Sequence, residues 1–166
     1  MKYKIVELEN FTGDAATVYS ITIDDSSGTL FDHFVKENVG SFKSEIFFIL
    51  DRLEVIGNET GARNSFFKHH EGELGDGIVA LYDLPDSNLR LYCIRYGAQI
   101  IILGGGGHKP KNIRAFQDDK KLREQNYLLR QISKEITTRI KEKRINHSLD
   151  GYELEGELEF EDEHNE

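Results

Sequence analysis

Three apolar runs separated by turn-sized connections constrain this chain more than any other feature. Residues 78–83 (IVALYD), 89–95 (LRLYCIR) and 98–103 (AQIIIL) are each the length of one strand. Leu84-Pro85-Asp86-Ser87-Asn88 joins the first pair, and Tyr96-Gly97 joins the second. A parallel pair needs a crossover of a dozen residues or more, so connections this short predict antiparallel pairing. Residues 84–88 have turn chemistry, and Tyr96-Gly97 is a tight hairpin connection. The sequence thus predicts a three-strand meander.

The remaining elements follow from periodicity. Residues 3–9 and 16–24 read as strands, with Tyr19, Ile21 and Ile23 at the two-residue period and Asn10 to Asp14 as the turn between them. Residues 27–39 and 42–56 read as helices. Leu30, Phe31, Phe34 and Val35 recur at helical spacing in the first, and Ile46, Phe47, Ile49, Leu50 and Leu53 in the second. Gly40 separates them, Ser41 is the expected N-cap of the second, and Gly57-Asn58 its expected end. A long helix is predicted from about Asp118 to Arg144, capped by Asp118 or Asp119. Its apolar stripe is Leu122, Leu129, Ile132, Ile136 and Ile140. The predicted class is α+β: a helical hairpin on an antiparallel sheet, with additional N-terminal strands and a long C-terminal helix.

A chain of 166 residues suffices for one domain, drawn here at 1–146, followed by an acidic tail at 147–166. No apolar run reaches the ~20 residues of a membrane span. MKYKIVELEN lacks the apolar centre of a signal peptide, and Cys93 is the only cysteine. A cytoplasmic location is the expectation. The net charge of −9 hides a partition: −9 over residues 1–89, +9 over 90–146 and −9 over 147–166. A basic block between two acidic ones points to a local anion-binding surface. In the tail, Tyr152, Leu154, Leu158 and Phe160 alternate with Glu153, Glu155, Glu157 and Glu159. Two readings stand for it: a disordered acidic terminus, or a strand that docks at an edge with every acid on one face. The tail's charge of −9 equals in size the +9 of the basic block, and its Glu face is a candidate to lie over that block as a nucleic-acid mimic.

The run IIILGGGGHKPK argues against two nucleotide motifs. A P-loop needs GxxxxGK followed by Ser or Thr and a helix start, whereas here Pro110 follows Lys109. A dinucleotide fingerprint needs a βαβ setting, which a meander lacks. The four glycines are read as a flexible strand end feeding a cationic loop of His108, Lys109, Lys111 and Arg114.

The blocks LGDGIVALYDL, LRLYCIRYG and QIIILGGGGHKPK resemble the RelE/HigB toxins of type II toxin–antitoxin systems, and more closely their phage-derived HigB-like branch. The resemblance spans residues 42–140 and leaves 1–40 as an N-terminal extension. It implies a RelE-like fold and a metal-independent, cofactor-free endoribonuclease that cuts mRNA in the ribosomal A site and so inhibits translation. It also implies a small partner antitoxin, often a helix-turn-helix DNA-binding protein. Arg90 matches the arginine heading the family's middle strand; Lys109 and Lys111 match the lysines after its last apolar strand. The chain departs from the family in its acidic charge and its long N-terminal lead-in. A related branch of the same fold inhibits DNA gyrase without cutting RNA, and a non-catalytic binding protein is the alternative expectation.

The chemistry sets its own requirements. Metal-free RNA cleavage turns the ribose 2′-hydroxyl on the adjacent phosphate, and needs a base, an acid and cations for the phosphorane charge. His108 suits either proton role. Arg90 or Arg95 can grip phosphate through the guanidinium fork, but they are five residues apart and so face opposite sides of a regular strand. Arg90 is chosen on the family match, and Arg90, His108 and Lys109 form the expected catalytic set. Lys111, Arg114, Arg95 and Arg63 are expected to hold RNA by charge, with Lys68 as a further contact. Tyr92 shares the face of Arg90 and is a candidate to stack a base or to fill the core. Lys68-His69-His70-Glu71-Gly72-Glu73 has no ligand spacing to a second cluster and reads as a solvated loop rather than a metal site. Cys93 reads as a small core residue.

Overall fold

A computed structural model describes residues 1–69, 71–72, 75–81, 87–109 and 120–161. The chain starts with two antiparallel strands, β1 (Tyr3–Glu7) and β2 (Thr17–Ile23), in the register Tyr3↔Ile23, Ile5↔Ile21 and Glu7↔Tyr19. Thr12 closes their connection: its hydroxyl accepts from Val18 N at 3.0 Å and donates to the Leu8 carbonyl at 3.2 Å. Helix α1 (Leu30–Asn38) begins with a capping box in which Thr29 Oγ1 and the Asp32 carboxylate each accept the other residue's backbone N–H. Helix α2 (Lys43–Val55) has Phe42, not Ser41, at its N-cap and no side-chain cap bond. It runs on through one turn of π-helix (Ile56–Thr60), so Gly57 lies inside that turn and not after it.

The meander forms as predicted from its short connections. A two-residue strand β3 (Phe67–Lys68) leads into β4 (Ile78–Leu81), β5 (Leu89–Tyr96) and β6 (Ile100–His108). The seven-stranded order is β3-β4-β5-β6-β2-β1 and then β9, described below. All pairs are antiparallel except β2 with β6, where Thr17↔Ile100, Val18↔Ile101 and Tyr19↔Ile102 run parallel. The two helices and the meander between β2 and β6 supply the long crossover that a parallel pair requires.

Helices cover both faces of the sheet, which explains why the strands read as nearly continuous apolar runs. The α1–α2 face buries Val18, Phe31, Phe34, Ile46, Ile49, Leu53, Leu91, Cys93, Ile101 and Leu103. The other face is covered by α3 (Lys120–Lys141), whose Leu122, Leu129, Ile132 and Ile136 pack on Tyr19, Tyr92, Ile94, Ile100 and Ile102. The predicted stripe of α3 is thus the buried one, with Ile140 partly buried. Its expected caps, Asp118 and Asp119, lie outside the described residues.

The glycine run is strand, not loop. β6 continues through Gly104, Gly105, Gly106 and Gly107 to His108, opposite Leu89, Arg90 and Leu91. Leu91 pairs with Gly106 and Cys93 with Leu103, so Tyr92 faces two residues across a β-bulge. None of the four is among the glycines with positive φ. Their common property is missing volume. A Cβ on Gly104 would lie 2.8 Å from Leu129 Cδ2, and one on Gly105 2.1 Å from Gln125 Oε1, both on α3. The run lets α3 lie directly on the strand.

The tail is folded through Glu161. β7 (Ile145–His147) pairs with β8 (Leu154–Gly156), and β9 (Glu159–Phe160) adds to the edge of the main sheet beside β1. Leu154 and Phe160 are buried; the Phe160 ring stacks on Tyr3 at 4.5 Å between centroids. The Arg139 guanidinium lies 3.6 Å from the centre of the Phe160 ring, and its Nη1 donates to the carbonyls of Glu157 and Glu159, both at 2.6 Å. The tail is thus ordered through Glu161, but as two short strands: Glu159–Phe160 docks at the sheet edge, while Leu154–Gly156 pairs with β7 in a separate two-stranded sheet.

Cys93 is wholly buried, and burial pushes its thiol pKa far up. We expect no reaction with a disulfide reagent such as Ellman's in native buffer and full reaction in guanidinium. Rapid native labelling would contradict the buried placement. Among the described residues no helix is long and apolar enough to cross a membrane.

Candidate cationic site at the end of strands β5 and β6

Strand β5 is held where it begins by helix α2. Glu45 Oε1 accepts from the backbone N–H of Asn88 at 2.6 Å and of Leu89 at 3.3 Å, and its Oε2 accepts from Asn88 Nδ2 at 3.1 Å. The Asn88 carbonyl accepts from Lys109 N at 2.5 Å. One carboxylate thus ties the start of β5, and through it the residue after β6, to the first turn of α2. Arg90 and Lys109 are placed by this clamp.

Alternation along β5 decides the rest. Leu89, Leu91 and Cys93 belong to the α1–α2 face, while Tyr92 and Ile94 belong to the α3 face. Arg90 therefore projects to the α3 side. His108 is paired directly with Leu89, so it shares the α1–α2 side; its ring lies 4.9 Å from that of Phe42 at the N-terminus of α2. Arg90 and His108 are one register step apart and on opposite faces of the sheet. The expectation that both meet one phosphate fails for this geometric reason.

Arg90 instead faces a carboxylate. Its side chain is only 10% exposed, and Nη1 lies 3.7 Å from Glu71 Oε1. Lys68 Nζ, from β3, lies 3.8 Å from the same oxygen. Both separations exceed a hydrogen bond. Lys109 belongs to the same cluster: burial, then the charges of Arg90 and Lys68, press its pKa below the ordinary lysine value, and Glu71 partly opposes them. Among the described residues, Lys68 and Arg90 thus lie within 4 Å of this carboxylate, and Lys109 is near enough for all three charges to act on it. Helix α3 closes the far wall, where Asn126 Nδ2 donates to the Glu71 carbonyl at 2.7 Å. Glu71 Oε1 and Asn126 Oδ1, both buried, have no hydrogen-bond donor among the described residues. Lys68 and Lys109, more exposed than Arg90 and Glu71, form the solvent side.

Other expected contacts lie elsewhere. Arg95 sits five residues along β5, about 17 Å away at ~3.3 Å per residue, and on the opposite face. Its Nε donates to the Ala62 carbonyl at 2.8 Å, which ties down the chain after the π-turn. Arg63 is exposed in that same segment, whose Ala62 N–H binds Ala98 beside the hairpin. Neither joins the Arg90 cluster. Tyr92 is fully buried under α3, so it fills the core and presents no face to a base. Lys111 and Arg114 lie outside the described residues, as do His70 and Glu73 of the histidine-rich segment.

Sequence reading missed Glu71 and Asn126. Glu71 reads as part of a solvated loop, since nothing in the sequence says that its carbonyl meets Asn126 of α3. Asn126 carried a signal: a polar residue on the buried stripe between Leu122 and Leu129, and such a residue needs a partner. Through Glu161, the last described residue, the acidic tail does not cover the cluster. β9 lies on the far side of β1, β2 and β6 from β5, where Glu159 pairs with Lys4 at 3.3 Å and Glu157 with Arg144 at 2.7 Å. Comparison with family models, with curated proteins and with solved structures gave no match.

Proposed function

We propose that this chain is a RelE/HigB-like toxin: a metal-independent endoribonuclease that cuts mRNA on the ribosome and is held in check by a helix-turn-helix antitoxin. The observation that supports it is the convergence of Lys68, Arg90 and Lys109 at the ends of the meander strands, where the resemblance locates the site. Arg90 offers a guanidinium fork to the scissile phosphate and Lys68 a point charge. Both stabilise the charge of the phosphorane more than that of the ground state. Lys109, its pKa lowered among cations, is the better proton donor to a leaving oxygen. His108 has no part in this site.

The second reading is a non-catalytic binder of the same fold. It draws on the Arg90–Glu71 pair, which already balances the central guanidinium. Induced expression separates the two. Arg90 is buried and its loss can unfold the chain, so the informative change is Lys109→Ala. The nuclease reading expects growth arrest with cut mRNA, and a drop in cleavage of roughly 10²–10⁴-fold in the variant, the usual worth of a positioned acid. Arrest with DNA breaks, intact mRNA and no dependence on Lys109 would reject it in favour of gyrase binding.

A further inference from the structure

A concave surface on the α1–α2 side of the sheet has no part in the cationic cluster, which lies on the α3 side. The connection between β1 and β2 forms one wall and helices α1 and α2 the other, around a groove of about 610 Å³. Its floor is apolar. Leu8 and Phe11 come from the connection, Val35 from α1 and Leu50 from α2, and each packs on the core beneath while staying only partly buried. Phe11 stands edge-on to the buried Phe31 ring, with centroids 5.9 Å apart.

The rim is acidic. Glu7 and Glu9 border the groove at the connection and Asp32 at α1, with Lys36 the one cation among the lining residues. Among the described residues no cation lies within 4 Å of Glu7, Glu9 or Asp32. Glu7 shows the consequence: burial first, and then the charges of Glu153 and Glu9, lift its carboxyl above the usual range. An apolar floor under a rim of uncompensated carboxylates calls for apolar side chains with cations beside them. The acids are spread over β1, the connection, α1 and the residue before β8, so one ammonium group cannot meet them all. An amphipathic helix can, because it sets cations at intervals on both sides of an apolar stripe.

We infer that this groove docks a basic amphipathic helix of a partner protein. Its apolar residues at i, i+3, i+4 and i+7 lie on Leu8, Phe11, Val35 and Leu50, and its Lys or Arg residues meet Glu7 and Glu9. The inference goes beyond the nuclease reading and does not depend on it.

The test uses the full chain and a synthetic helical peptide of about 18 residues, five turns. The peptide carries Leu along one stripe, Lys on both flanks and one Trp in the stripe. The chain has no tryptophan, so the emission reports the peptide alone. Binding is expected to shift that emission to the blue and to move backbone amide NMR signals at residues 7–11, 28–36 and 50. Glu7→Lys with Glu9→Lys, both exposed, is expected to weaken binding about tenfold or more, since several rim charges act together. Glu124→Lys with Glu142→Lys makes the same change of net charge at exposed positions in and just past α3. That pair is expected to stay within about twofold of wild type, distant charges being screened. Equal weakening by the two pairs, amide shifts outside the groove, or no binding by folded wild-type chain overturns the inference. Self-association of the chain alone, abolished by the Glu7→Lys and Glu9→Lys pair, would place a second copy in the groove and also overturn it.

Discussion

Gly106→Ala should prevent stable folding, whereas Gly107→Ala, its neighbour, should be tolerated. A Cβ on Gly106 would stand 1.8 Å from the Arg90 carbonyl oxygen and 3.0 Å from Leu91 Cα, and both are backbone atoms of the paired strand. No rotamer relieves that overlap; β5 and β6 would have to separate in the middle of the sheet. Overpacking in a rigid core costs about 1–3 kcal/mol and occasionally more, and an overlap with backbone belongs at or beyond the upper end. At Gly107 the nearest atom is Lys121 Cγ at 3.2 Å, on an exposed flexible chain that can shift by a few tenths of an ångström. Gly107 is buried, but with no backbone atom in the way the expected cost stays near the low end of overpacking, about 1 kcal/mol. Chemical denaturation of the two variants checks the order. Equal stability would mean that β6 does not run through the glycines as a paired strand.

Ending the chain at Asn146 is the second large change. It removes β8, β9 and the buried Leu154 and Phe160, and it leaves the Arg139 guanidinium without the two carbonyls it binds. Burying two such apolar side chains is worth about 3–6 kcal/mol in transfer terms. Part of this is offset, because the ordered tail loses chain entropy. We expect a net loss of about 2 kcal/mol or more, seen as a melting temperature lower by roughly 4–8 °C for a domain of this size. The same cut should leave nucleic-acid affinity unchanged, since β9 and the Arg90 cluster are on opposite parts of the sheet. An unaltered melting curve would show that the tail is no part of the folded unit. A rise in affinity would restore the idea of a self-masking tail.

Both results turn on residues whose roles the sequence leaves open. Four glycines in a row signal missing side chains, and missing side chains suit a flexible loop as well as a strand under a closely packed helix. Only the position of α3, far along the chain, chooses between them. The tail likewise alternates apolar and acidic residues, which specifies the strand period but not the partner; Tyr3 and Arg139 are what hold it.

What the sequence determined by itself is the local structure and its class. Periodicity and short connections are near-neighbour properties, so the meander, the helical pair, the stripe of α3 and a mixed α and β class were legible in it. The antiparallel expectation held for every pair but β2 with β6, which joins segments some eighty residues apart. The candidate site was legible only in part, because a site is a statement about distance in space. Arg90 and Lys109 were visible as cations near strand ends. That Glu71 closes on them, that Asn126 backs it, and that His108 leaves for the other face were decided by tertiary structure. Strand pairing set Leu89 opposite His108, and a one-residue step on a pleated strand reverses the side on which a group stands.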